Sequence, residues 1–307
     1  MNEMTITILV AMAVFTVVTL ILVALLLFIK TRLTPKGTVK ININDGKKEV
    51  EVTPGGDLLH TLAEEQIFLP SACGGKGNCG QCKCRVLEGG GTILPTEVGF
   101  FNRKQINDHW RLGCQVKIKE DMKIVIPDSA LSVKKLECEV ISNDNVATFI
   151  KEFTVKLPEG EHLEFKSGEY IQIDIPAYEL DFKDISVSDE YKADWEKFGF
   201  FNLHASNPTA TVRAYSMASY PGEKGIIKLN VRIATPPFDR SVPRELGPKL
   251  LPVNPGIGSS YVFTRKPGDK VIISGPFGEF LLPQNDPDSQ EYIFVGGGAG
   301  MAPLRSH

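Results

Sequence analysis

With 307 residues, 42% of them hydrophobic and 23% charged, the chain has the composition of a folded globular protein and the length of two or three domains. Its formal net charge of −3 lacks the basic footprint of a nucleic-acid binder, so no nucleic acid is expected as a partner. Six cysteines are too sparse for a disulfide scaffold, and the pattern four of them make points to a reducing compartment.

The first sharp feature is Ile6–Ile29, 24 residues without a charge and almost all apolar. A helix of about 20 such residues crosses the hydrocarbon core of a bilayer. A cleaved signal peptide would open on Lys or Arg, carry a shorter apolar core and end at a small-residue site. This N-terminus carries Glu3 instead, runs long, and no such site follows. The expectation is a single transmembrane helix over residues 5–29. Lys30, Arg32, Lys36 and Lys40 follow it, which places everything downstream in the cytoplasm by the positive-inside rule. The span holds no acidic residue and so offers no ion path of its own.

Thr38–Val52 reads as a hairpin: Val39, Ile41 and Ile43 alternate, Asn44-Asp45-Gly46 is a turn signal, and Val50 and Val52 alternate again. Asp57–Gln66 reads as a short helix with Leu58, Leu59, Leu62 and Ala63 on one face. A glycine- and cysteine-rich stretch, Ala72–Cys84, follows. Lys83–Leu87, Gln115–Ile118 and Met122–Ile126 read as strands. Strands around one helix in so short a span suggest a β-grasp-like domain, taken as residues 37–130.

Cys73, Cys79 and Cys82 stand close together, and 31 residues separate Cys82 from Cys114. Three near thiolates and one distant one suit a plant-type [2Fe–2S] cluster, although this chain has five residues between its first two cysteines where the usual spacing is four. Glycines 74, 75, 77 and 80 let the backbone turn its N–H groups toward the sulfurs. A four-cysteine zinc site would pair two short-spaced couples, and no second couple surrounds Cys114. The metal ligands expected are therefore Cys73, Cys79, Cys82 and Cys114. Cys84 has no counterpart in this pattern and reads as a structural thiol, and Cys138 as a core residue.

From Leu136 the chain is strand-rich, with turns at Pro158-Glu159-Gly160, Ser167-Gly168, Pro221-Gly222 and Pro267-Gly268, which favours a barrel or a sandwich over residues 134–286. Between Tyr178 and Lys197 lie seven acidic and three basic residues, read as an exposed acidic loop insertion. Tyr292–Val295 reads as an apolar strand, and Gly296-Gly297-Gly298-Ala299-Gly300 as the turn that normally introduces a helix and further βα units, so residues 290–307 read as the start of an α/β segment.

Arg213-Ala214-Tyr215-Ser216 resembles the Arg-x-Tyr-Ser signature of the ferredoxin–NADP reductase superfamily. Val231-Arg232-Ile233-Ala234-Thr235, Gly256-Ile257-Gly258-Ser259-Ser260-Tyr261 and Ser274-Gly275-Pro276-Phe277-Gly278 follow in that superfamily's order. The whole arrangement resembles the F subunit of the sodium-translocating NADH:quinone reductase. The match is carried by Cys-Gly-Gly-Lys-Gly-Asn-Cys-Gly-Gln-Cys at 73–82, Arg-Ala-Tyr-Ser-Met-Ala-Ser at 213–219 and Gly-Gly-Gly-Ala-Gly-Met-Ala-Pro-Leu-Arg-Ser-His at 296–307.

The resemblance implies a multidomain chain: a membrane helix, a β-grasp ferredoxin domain, an antiparallel β-barrel that binds FAD, and the beginning of a nicotinamide domain. The chain then reads as C-terminally truncated, because family members continue past this point. Arg213, Ala214, Tyr215, Ser216, Val231, Ile233, Thr235, Gly256, Gly258 and Ser259 would hold FAD, with Tyr215 and Ser216 at the reacting ring. Gly297, Gly298 and Gly300 would face the diphosphate of NADH. Electrons would run from NADH to FAD to the cluster and on to other membrane subunits, on the cytoplasmic side of a bacterial inner membrane. A reductase component of an aromatic-ring oxygenase shares the ferredoxin and flavin parts but is usually soluble. A non-catalytic electron carrier with bound flavin is the third reading.

Overall fold

The computed structural model describes residues 3–33, 37–131, 133–242, 247–278, 280–282 and 291–307. Lys36 and the expected domain limits at 286 and 290 lie outside the described residues, as do the side chains of Lys30 and Arg32. Helix α1 (Glu3–Leu33) contains the 21-residue segment Ile8–Phe28, long and apolar enough to cross a membrane. The large hydrophobic side chains of this segment are exposed. Thr16 and Thr19 turn their hydroxyls back to Met12 O and Phe15 O at 2.8 Å, which satisfies them inside an apolar helix.

The described chain divides into two compact units: residues 1–65 with 84–126, and residues 66–83 with 127–307. The first holds β1 (Val39–Ile43), β2 (Lys48–Val52), α2 (Leu58–Glu64), β3 (Lys83–Glu88), α3 (Pro95–Val98), α4 (Arg103–Asn107), β4 (Trp110–Leu112) and β5 (Met122–Val125). The sheet order is β2-β1-β5-β3-β4. The β1–β2 turn uses positive φ at Asn44, Asp45 and Gly46, the handedness that matches strand twist. Asp57 caps α2 by accepting the His60 N–H at 3.1 Å, and the helix buries Leu58, Leu59 and Leu62. Strand β5 runs parallel to β1 and antiparallel to β3. A parallel pair needs a crossover, and here the crossover includes α2.

Gln115–Ile118, expected as a strand, forms none of the sheet strands and makes only one isolated antiparallel bridge among the described residues, Lys117 to Asp57. Its backbone bonds instead to the segment leading into α2: Leu58 N–H to Val116 O at 2.9 Å, Gly55 N–H to Ile118 O at 2.8 Å, and Ile118 N–H to Gly56 O at 3.1 Å. Alternating burial of Val116 and Ile118 made it look like a strand, and β4 takes the sheet edge in its place.

The second unit contains β6 (Lys134–Ala147), β7 (Ile150–Lys156), β8 (Tyr170–Ile175), β9 (Tyr178–Asp181), α5 (Asp189–Lys197), β10 (His204–Asn207), β11 (Thr211–Ser216), β12 (Ile226–Arg232), α6 (Ile257–Thr264), β13 (Lys270–Phe277) and α7 (Met301–Ser306). Six strands in the order β11-β8-β13-β6-β7-β12 pair antiparallel throughout. The Met217–Leu229 bridge and the bond from Ala218 N–H to Lys228 O join the two ends into a barrel. Alternation sends Cys138, Val140, Ile171, Ile173, Ile175, Ile227, Leu229 and Val231 inward. Each fully buried aliphatic side chain of this kind contributes about 1.5–3 kcal/mol of transfer free energy.

The acidic stretch 178–197 is not a loop. It supplies β9, which pairs with β10, and then α5. Its charges are exposed, but between them Phe182 and Trp195 are fully buried. The indole of Trp195 donates to Thr148 O at 2.7 Å and meets Phe200 edge-on at 5.8 Å. These anchors stabilise the excursion against its own charge. Tyr292–Val295, read as a strand, is not one: Ile293 and Val295 are 90% and 91% exposed, and among the described residues no strand pairs with the segment. The glycine run does lead into a helix, through a tight turn at Gly298–Gly300 and then α7.

Candidate functional site

The cysteine loop is built on left-handed glycines: 74, 75, 77 and 80 all have φ between 64° and 84°. Ser71 Oγ accepts the Gly75 N–H at 3.1 Å, and Gln81 Oε1 accepts the Ala72 N–H at 3.1 Å, closing the loop on itself. Burial raises the Cys73 thiol, but hydrogen bonds from the backbone of Asn78, Cys79 and Lys76 and from the Cys79 side chain outweigh it and bring the pKa to about 7. Thiolate, the form that ligates iron, is therefore favoured near neutral pH. Cys82 is buried in the same loop.

Cys114 lies in the first unit, buried in the tight turn after β4, and accepts from Gln115 Nε2 at 3.8 Å. Behind β4 stands a buried ion pair that the sequence reading missed. Glu97 is fully buried and accepts from Arg111 Nη2 at 2.8 Å, from Arg111 Nε at 3.0 Å, and from the N–H groups of Leu112 at 2.8 Å and Leu94 at 2.9 Å. Arg111 Nη1 donates to Gly90 O at 2.7 Å. The pair thus fixes the backbone two residues before Cys114. Cys84 is fully buried, and burial pushes its thiol up to about 12, so it stays protonated. The donor chemistry fits a thiolate-ligated cluster. A two-iron cluster takes two thiolates per iron, so no three donors need meet at one ion, and among the described residues no trio of His, Cys, Asp or Glu does.

The second group of expected residues gathers on β11 and at the start of α6. Arg213 and Tyr215 are paired in register with Ile173 and Ile171, which puts them on the inner face at the barrel's end. Gly258 lies against them so closely that an added Cβ would stand 2.5 Å from Tyr215 Oη and 2.9 Å from Arg213 Cγ. Only glycine lets the first turn of α6, with its unpaired backbone N–H groups, approach the arginine. Gly256 begins the helix; its N–H donates to Ala234 O at 2.7 Å. Ser259 Oγ accepts the Ala234 N–H at 3.0 Å and donates to Gly256 O at 3.1 Å, tying α6 to the segment just beyond β12. Tyr178, which the sequence did not single out, donates to Ile257 O at 2.6 Å and braces the same turn. Burial raises the Tyr215 hydroxyl well above the usual phenol range, against the pull of Arg213, so it stays neutral.

Other expected residues take different positions. Ser216 is exposed at the end of β11, and Ala214 is half-buried on the face opposite Tyr215. The side chains of Val231 and Ile233 are core residues of the barrel, and Thr235 is half-buried just beyond β12. Gly297, Gly298 and Gly300 sit in the turn before α7. The positive end of α6, a guanidinium and a neutral phenol at one barrel mouth fit a flavin carrying a diphosphate.

A family model described as a 2Fe-2S iron-sulfur cluster binding domain matches residues 41–119, and one described as an oxidoreductase FAD-binding domain matches residues 196–281. The F subunit of the Na(+)-translocating NADH-quinone reductase of Psychrobacter cryohalolentis is 53% identical over 296 residues, 96% of this chain and 69% of the relative. That of Idiomarina loihiensis is 51% identical, over 95% of this chain and 69% of the relative. The crystal structure of Amycolatopsis cytochrome P450 reductase GcoB is similar in fold, with a TM-score of 0.50 at 20% identity, over 88% of this chain and 66% of that one. High identity across almost the whole chain, ferredoxin loop and barrel included, places the chain in the F-subunit family of the Na(+)-translocating NADH-quinone reductases.

Proposed function

We propose that the chain is the NADH-oxidising electron-input subunit of the sodium-translocating NADH:quinone reductase, passing electrons in the order NADH, FAD, [2Fe–2S] and then other subunits. The observation that carries this is one compact unit holding both a thiolate-favouring cysteine loop and the Arg213–Tyr215–Gly258 cradle. When bound, a flavin accepts hydride's two electrons and a [2Fe–2S] cluster accepts one at a time. In this reading Cys73, Cys79, Cys82 and Cys114 ligate iron. Arg213 and the first turn of α6, from Gly256 through Gly258 and Ser259, hold the FAD diphosphate. The Tyr215 ring stacks on the flavin, Ser216 donates a hydrogen bond to the ring edge, and Ala214 and the backbone of Val231, Ile233 and Thr235 support it. Gly297, Gly298 and Gly300 take the nicotinamide diphosphate. Helix α1 crosses a bacterial inner membrane once, with the basic residues after it on the cytoplasmic side.

Two measurements test this. Cys114→Ala should abolish the [2Fe–2S] electron paramagnetic resonance signal, and a normal signal would remove Cys114 from the ligand set. The purified chain, loaded with FAD, should show rapid flavin bleaching on mixing with NADH. A flavin that stays oxidised with the cluster intact would make this chain an electron carrier and not the site of NADH oxidation.

A further inference from the structure

Strand alternation sends Ile171, Ile173 and Ile175 of β8 into the barrel and turns Tyr170, Gln172 and Asp174 to the other face. The cysteine loop covers that other face. Tyr170 Oη donates to Gln81 Oε1 at 2.9 Å, the same oxygen that accepts the Ala72 N–H. Lys135 pairs with Asp174 and lies 5.8 Å over the ring of Phe68. On β11 the approach is closer still: a Cβ on Gly74 would stand 2.7 Å from Thr211 Oγ1, 2.9 Å from Arg213 Nη1 and 3.0 Å from Val212 O. Gly74 also has φ +64°, so neither space nor backbone admits another residue.

Arg213 is at the centre of this contact. Its hydrogen bonds among the described residues all leave from Nη1: to Val212 O at 2.7 Å, Thr211 Oγ1 at 3.0 Å and Cys73 O at 3.4 Å. A guanidinium has five N–H donors in a rigid fork, so the Nε and Nη2 edge is left for an anion. We propose that Arg213 serves two sites at once: Nη1 anchors the backbone of the iron-ligand loop at Cys73, and the Nε–Nη2 edge takes the flavin diphosphate, so that loop geometry and flavin binding are coupled through one side chain. Gln81–Tyr170 is the second tie of the same loop. The proposal rests on the flavin assignment of β11 made above. Coupling of this kind is reciprocal: a change in the loop must appear in flavin affinity, and a change in the arginine must appear at the cluster.

The test uses the full chain with its cluster in place and the flavin removed, then titrated with FAD. Arg213→Lys keeps the charge but loses the fork. It should change the cluster's visible circular dichroism in the flavin-free protein and weaken FAD binding about tenfold, the loss of one charge-assisted hydrogen bond. Tyr215→Ala should weaken FAD binding and leave the flavin-free cluster spectrum as in wild type. Gln81→Leu touches neither the flavin strand nor an iron, yet should weaken FAD binding about fivefold, the low end of measured couplings. An unchanged cluster spectrum in Arg213→Lys, or unchanged FAD affinity in Gln81→Leu, overturns the proposal. A changed cluster spectrum in Arg213→Lys with wild-type FAD affinity also overturns it, and in that case the flavin assignment itself is what fails.

Discussion

Glu97→Ala is the severest single test of the first unit. Glu97 is fully buried and its partner Arg111 only 5% exposed. The carboxylate satisfies Arg111 Nε and Nη2 and the N–H groups of Leu94 and Leu112. Alanine leaves a buried guanidinium without its counter-charge, a cost of about 3–5 kcal/mol. It also leaves two backbone donors unpaired, at about 1–3 kcal/mol each if water cannot reach them. Relaxation recovers part of this, so a loss of about 4 kcal/mol is expected from a domain stability of about 5–15 kcal/mol. Urea unfolding followed by circular dichroism reads the loss. Iron content reads the second consequence, because Leu112 is two residues from Cys114 and its anchor is gone. Replacing both partners, Glu97→Met with Arg111→Met, should recover much of the stability, since no charge is then left buried. A Glu97→Ala protein that loses less than about 1 kcal/mol and keeps its iron would refute the claim that this pair is dry and braces β4.

Three further outcomes follow from the geometry. Gly258→Ala gains about 1 kcal/mol of helix propensity but costs about 1–3 kcal/mol in overpacking against Tyr215 and Arg213, so Tm and bound FAD should both fall; a higher Tm with full FAD content would contradict the close approach. In cluster-free protein, iodoacetamide should label Cys73 with a rate that rises through pH about 7, while Cys84, held near 12 by burial, stays unlabelled in the native state; equal labelling at pH 8 by peptide mass mapping would count against both environments. The Arg305 hydrogen bonds, with help from Lys228, hold Glu223 at about 2 against its ordinary 4.5. The stabilisation is complete above pH 4.5 and disappears as the pH falls toward 2, so Arg305→Ala should flatten the acid limb of stability in that window; an unchanged acid limb would show that the pair contributes nothing.

What could be read in advance depended on whether a signal was local. The β1–β2 turn was legible because Asn-Asp-Gly is among the few sequences that accept two or three positive φ angles in a row. Helix α2 was legible because Asp57 supplies a cap and three leucines share a face. The stretch 115–118 was misread because burial alternates there while the hydrogen bonds go to a loop, and a pattern of burial does not say where a backbone pairs. The acidic stretch 178–197 was misread because its seven acidic residues outnumber the two aromatics that anchor it, and an average over a window hides a single buried tryptophan. The Glu97–Arg111 pair could not be seen at all: fourteen positions separate two residues that are ordinary on a surface.

The same limit applies to Arg213, with a mechanical reason. Arg213 and Tyr215 share the inner face of β11, and Ala214 and Ser216 the outer one, so alternation alone would assign the arginine to the inner face only. But among the described residues β11 pairs along its length with β8 alone, and the chain meets β12 only past the strand's end, through the Met217–Leu229 bridge and the bond from Ala218 N–H to Lys228 O. Beside Arg213 the strand edge is therefore open, and a long side chain can fold back over its own backbone, as the bonds to Thr211 Oγ1 and Val212 O record. Once there, it meets the loop at Gly74. A residue shorter than arginine would serve one face or the other; the reach of this side chain and the gap at the barrel seam together let one residue touch both.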